Sequence, residues 1–91
     1  MLRKVKIECE NWYWNRKLQL RLFELGVAWP MGTDRCQTVW NSRRRGKYLF
    51  LQQNPQNGSF WLGWGSERDF QDCPFEAVTA KGFLNELTEK Q

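Results

Sequence analysis

The segment NWYWNRKLQLRLFELG, Asn11 to Gly26, constrains the fold most, because it is long and periodic enough to specify a helix. Trp14, Leu18, Leu22 and Leu25 recur at i, i+4, i+8 and i+11, and at about 100° per residue they share one narrow face. Trp12, Leu20 and Phe23, with Arg16 in the remaining place, make a second stripe almost opposite the first. A helix covering one face of a small domain requires one stripe. The second therefore poses the functional question: what covers it?

On either side of this helix the signals are short-range. Lys4 to Glu10 alternates Val5, Ile7 and Cys9 with charged residues, the pattern of a half-buried strand. Asn11 suits an N-cap and Gly26 the position just past the helix, where positive φ is needed. The strand thus enters the helix with almost no loop. Beyond it, VAWP is a short extended piece, MGTDR a turn, and Gln37 to Trp40 a brief strand. NSRRRGK reads as a hairpin connection, and Lys47 to Gln53 as a strand apolar on both faces, which belongs mid-sheet with a layer on each side. Pro55 and Asn57-Gly58 mark a tight turn before a strand over Ser59 to Gly65. SERDFQDC reads as a polar loop. Phe75 to Val78 is a last short strand, and Thr79 caps a helix from Ala80 to about Lys90, with Phe83, Leu84 and Leu87 inward. The fold class expected is α+β: strand, helix, three or four antiparallel strands, helix, in a single domain over residues 1–91.

Composition narrows the chemistry. At 91 residues one core suffices, and 41% hydrophobic with 26% charged residues is globular. The chain holds no His, which removes the commonest general base and the usual partner of Ser or Cys nucleophiles. Cys9, Cys36 and Cys73 have no C-x-x-C spacing, so the expectation is three reduced thiols, no metal and no cofactor. Glu67, Asp69 and Asp72 form an acidic cluster in the expected loop, read as solvated surface. No glycine run opens onto a helix as a phosphate-binding loop does. The chain is read as a non-enzyme. Without an apolar leader or an 18-residue apolar window, it is expected in the cytoplasm with no membrane partner.

Binding is the class that remains, and three surfaces offer it. Aromatic residues make up 15% of the chain, six of them Trp, a type that serves both compact cores and interface hot spots. Trp12, Tyr13, Arg16, Leu20 and Phe23 would make an aromatic and Arg-containing protein-binding surface if the outer stripe is exposed; tucked against the sheet rim or the last helix, they would be structural. Either a partner protein or a second copy in a homodimer would bury such a stripe. Arg43, Arg44, Arg45 and Lys47 are the densest charge in a chain of net +4, suited to nucleic acid or an acidic protein surface; the plainer reading is a charged hairpin tip. Trp61, Gly63 and Gly65 share a strand face that is either a shallow platform for a small ligand such as a nucleotide or, as the favoured reading has it, a seat for the terminal helix.

LQLRLFELGVAW at 18–29, KYLFL at 47–51, WLGWG at 61–65 and FEAVTAKGFLNEL at 75–87 together resemble small uncharacterised accessory proteins of tailed bacteriophages, in which a strand leads to a helix ending in a Phe-x-x-Gly-x-x-Trp signature, here Phe23, Gly26 and Trp29. The resemblance implies a phage-encoded inhibitor or modulator that binds a bacterial host enzyme or defence complex. Trp12, Tyr13 and the 43–47 loop lie outside the signature.

Overall fold

The computed structural model describes residues 2–30 and 47–89. The expected turn at 31–35, the strand at 37–40, Cys36 and the arginines at 43–45 lie outside them.

The alternation at the start of the chain forms strand β1, Val5–Glu8, with Val5 and Ile7 fully buried. Helix α1, Trp12–Glu24, follows, and its N-cap is the expected one: Asn11 Oδ1 accepts from Trp14 N–H at 3.1 Å. Gly26 takes φ +91°, a conformation that a side chain would strain. Strands β2, Tyr48–Gln53, and β3, Phe60–Gly65, form a hairpin whose turn uses Gly58 at φ +75° and the Asn54 and Asn57 side chains as acceptors for Gln56 N–H and Ser59 N–H.

Residues 67–72, read from sequence as loop, are a short helix, α2, Glu67–Asp72. Ser66 and Asp69 close a reciprocal capping box: the Ser66 hydroxyl accepts from Asp69 N–H at 3.1 Å, and the Asp69 carboxylate accepts from Ser66 N–H at 2.9 Å. Strand β4, Glu76–Thr79, then leads into helix α3, Ala80–Glu89, where Thr79 Oγ1 accepts from Gly82 N–H at 3.1 Å.

The sheet order is β3-β2-β1-β4. Pairing of β1 with β2 and of β2 with β3 is antiparallel, whereas β4 runs parallel to β1, with Val5 opposite Glu76 and Ile7 opposite Val78. The sheet is therefore mixed, not the antiparallel one expected. Running parallel, β1 and β4 leave the sheet at the same end, each feeds a helix directly, and the two helices pack together on the same face.

Val5, Ile7, Leu49, Leu51 and Leu62 face α1 and α3, where Leu18, Leu22, Ala80, Phe83 and Leu87 complete the core with Val27 and Trp29. The other face of β2 is covered as its two-sided apolar pattern requires, but by α2. Tyr48 and Phe70 rings meet at 4.8 Å, and Lys6 Nζ donates to Phe70 O at 2.8 Å. Gly65 lies beneath Asp69, so its face seats α2 rather than the terminal helix expected there. No described helix is long and apolar enough to cross a membrane.

Candidate functional site

The buried face of α1 takes Leu18 and Leu22 from the first stripe and adds two polar residues. It is a seam of Asn15, Leu18, Gln19 and Leu22, all fully buried, rotated from the first stripe part of the way toward the second. Two amides can occupy it because they bond to each other: Gln19 Nε2 donates to Asn15 Oδ1 at 2.5 Å. The Cys9 thiol also meets Asn15, and burial pushes that thiol up to about 12 against the opposing effect of the amide contact, with Glu10 and Glu8 adding to the rise.

The ends of the first stripe and the whole of the second therefore become flanks. On the first, Trp14 is half-buried, edge-on to Tyr13 with centroids 4.9 Å apart and with Lys81 Nζ 5.3 Å from its ring centroid. Leu25, at the far end, is exposed. On the second, Trp12 and Phe23 are half-buried, and Phe23 packs against the core. Arg16 and Leu20 point outward.

Of the five residues expected to bind a partner, the structure brings Tyr13, Arg16 and Leu20 together on the exposed face and sets Trp12 and Phe23 at its margin. Tyr13 is 56% exposed and Leu20 38%, high for large apolar side chains. Lys17 completes the face, its ammonium 5.5 Å from the Tyr13 ring centroid. Sequence reasoning passed over Lys17, although its spacing, four after Tyr13 and three before Leu20, was there to be used. Glu24 closes the far end, paired with Arg21 at 3.1 Å, while Arg21 also reaches the Leu87 carbonyl at 3.5 Å. The face thus presents one aromatic, one aliphatic and two cationic side chains at i, i+3, i+4 and i+7. A partner could pack on that arrangement, and the seam beneath holds it rigid.

Lys47 is the one member of the basic set among the described residues. It is half-buried, with Nζ 3.5 Å from the Glu8 carboxylate and 5.5 Å from the Tyr48 ring centroid. Its charge is already answered within the sheet.

The acids at 67, 69 and 72 do not converge. Asp69 turns back into the cap, where the backbone N–H and then the hydroxyl of Ser66 hold its carboxyl below its usual range. Glu67 accepts from Gln71 at 3.4 Å, and Asp72 pairs with Arg68 at 3.8 Å. On the same side of the sheet an open groove of about 290 Å³ is lined by Phe50, Gln52, Trp64, Asp69, Cys73, Pro74 and Phe75. Trp61 and Gly63, which the alternative to a helix seat would have made a ligand platform, do not line it. Comparison with protein-family models, with curated proteins and with solved structures finds no match.

Proposed function

We propose that this chain is a non-enzymatic protein-binding module that contacts its partner through the outward face of α1. The carrying observation is the exposure of Tyr13 and Leu20 around Arg16 and Lys17, on a helix whose opposite side is locked into the core. Tyr and Arg are enriched at interface hot spots, and an apolar pair framed by cations suits an apolar surface with acidic residues near it. The resemblance of the 18–29, 47–51, 61–65 and 75–87 segments to phage accessory proteins supports a bacterial host protein as that partner. Inhibition or modulation would then follow from steric occlusion.

The test is affinity capture from bacterial lysate with the intact chain and with a Tyr13→Ala/Leu20→Ala double variant, monitoring folding by circular dichroism. One bacterial protein retained at stoichiometric level by the parent and lost by the folded variant is the expected result. Equal capture by both, or no capture by the folded parent, overturns the reading. Fluorescence anisotropy with single- and double-stranded DNA and RNA at low salt tests the competing use of Arg43, Arg44, Arg45 and Lys47. Salt-sensitive binding lost on replacing those arginines would substitute nucleic acid as the partner.

A further inference from the structure

The turn between β2 and β3 carries reactive chemistry as well as strand register. In Asn57-Gly58 the side-chain amide of one residue stands beside a backbone nitrogen that no β-carbon shields. Such a pair can convert in water without an enzyme. Hydroxide takes the Gly58 N–H proton, the nitrogen attacks Asn57 Cγ to close a five-membered succinimide, and the side-chain nitrogen leaves as ammonia. Water then opens the ring at one of its two carbonyls. Opening at one leaves aspartate in a normal main chain; opening at the other leaves isoaspartate, whose main chain runs through the former side chain and is one carbon longer.

The closed turn opposes each step toward the ring. Gly58 N–H, which must lose its proton, donates to Asn54 O at 2.8 Å. Asn57 Cγ, which must swing onto the Gly58 nitrogen, is tied through Oδ1, which accepts from Ser59 N–H at 2.9 Å and from Ser59 Oγ at 2.7 Å. Asn54 N–H donates to Ser59 O at 2.8 Å, and Gln53 Nε2 donates to Gly58 O at 3.0 Å, so the loop is fastened from both strands. Every one of these groups belongs to residues 53–59, and the restraint draws on nothing elsewhere in the chain.

We infer that Asn57 is a self-modification site gated by its own turn: the closed hairpin suppresses succinimide formation, and the opened turn releases it. A loop of this kind opens locally, so the reaction needs no unfolding of the sheet and its rate follows the open fraction. A single hydrogen bond can lower that fraction by up to about tenfold, and the turn holds several, so the folded chain reacts at least about tenfold more slowly than the same chain in urea. The products also part ways. Aspartate keeps an oxygen acceptor for Ser59, and the turn re-forms with one negative charge added at its tip. Isoaspartate lengthens the loop and carries Gly58 N–H away from Asn54 O, so the turn that fixes the β2–β3 register no longer closes.

The full chain is incubated in mildly alkaline buffer with and without denaturing urea, and peptide mass mapping reads conversion at position 57, with Asn57→Gln as the unreactive control. Conversion at least about tenfold slower in the absence of urea is expected. Asn54→Ala removes the Oδ1 that accepts from Gln56 N–H at 2.8 Å and leaves the reacting pair untouched. It should speed conversion of the folded chain by about two- to tenfold and leave the rate in urea unchanged, with circular dichroism reporting the fold. If that variant does not fold, Ser59→Ala, which removes the hydroxyl donor to Asn57 Oδ1, takes its place. Equal parent rates in buffer and in urea, or a folded turn variant that converts no faster than the parent, overturn the inference.

Discussion

Replacing Gly65 and Gly63 separately by alanine tests the placement of α2 with an internal control. Both glycines lie in β3, two residues apart, and both face away from the helical core. Alanine restrains the unfolded chain, which favours folding by about 0.4–1 kcal/mol wherever the methyl group fits. At Gly63 it fits: a Cβ would stand 3.4 Å from Gln52 Nε2 and 3.5 Å from Trp61 Cζ3. At Gly65 it would meet Asp69 Oδ2 at 2.8 Å, Phe50 Cε2 at 2.9 Å and Asp69 Cβ at 3.1 Å. Neither neighbour yields freely, because Asp69 is held in the capping box and the Phe50 ring is buried. Such overpacking costs about 1–3 kcal/mol, so Gly65→Ala is destabilised overall while Gly63→Ala is neutral or stabilised. The separation between the two is about 2 kcal/mol. With a urea m-value of about 1 kcal/mol/M for a chain of this size, their midpoints by tryptophan fluorescence differ by about 2 M. Coincident midpoints, or Gly65→Ala unfolding later than Gly63→Ala, would refute the packing of α2 on β3.

Other consequences are as direct. Phe83 is 1% exposed between sheet and helices, so Phe83→Ala costs about 3–5 kcal/mol and lowers the calorimetric midpoint by more than about 10 °C. Tyr13→Ala and Leu20→Ala, on the outward face, each change stability by no more than about 1 kcal/mol in the same assay, a smaller effect than any expected on partner capture. Iodoacetamide followed by peptide mass mapping labels half-exposed Cys73 in the native protein and leaves Cys9, whose thiol is raised to about 12, unlabelled until urea is added. Asp69 titrates below its ordinary 3.8, so its capping contribution is complete above that value and fades as pH falls through the lower folded value. An NMR titration of its carboxyl checks this, with Ser66→Ala moving the midpoint partway upward; an unmoved midpoint would contradict the capping geometry.

Local signals explain what was legible in the chain. Alternation at Val5 and Ile7, the caps at Asn11 and Thr79, and the Asn57-Gly58 turn each act within a few residues, and each element lies where they place it, give or take a residue or two. Helix α2 escaped because its only large apolar residue is Phe70 and its capping box uses Asp where Glu or Gln is usual. The direction of β4 is a long-range property: no local pattern tells a four-residue edge strand which way to run. Counting apolar residues around α1 found Leu18 and Leu22 on the inward face but missed its rotation toward Asn15 and Gln19, which hydrogen-bond to each other and enter the core as a pair. That rotation split the presumed outer stripe, leaving Tyr13, Arg16 and Leu20 exposed and carrying Trp12 and Phe23 toward the margin.

The parallel pairing of β1 with β4 joins residue 5 to residue 76, and α3 closes over both. During synthesis β1 and α1 leave the ribosome before the sheet edge and much of the helical cover that bury Val5 and Ile7. The nascent chain must therefore wait with apolar surface uncovered until residues 76–89 have emerged, and only then can cooperative folding complete. Emergence of residues 76–89, rather than of the first half, sets when this domain becomes competent to bind anything.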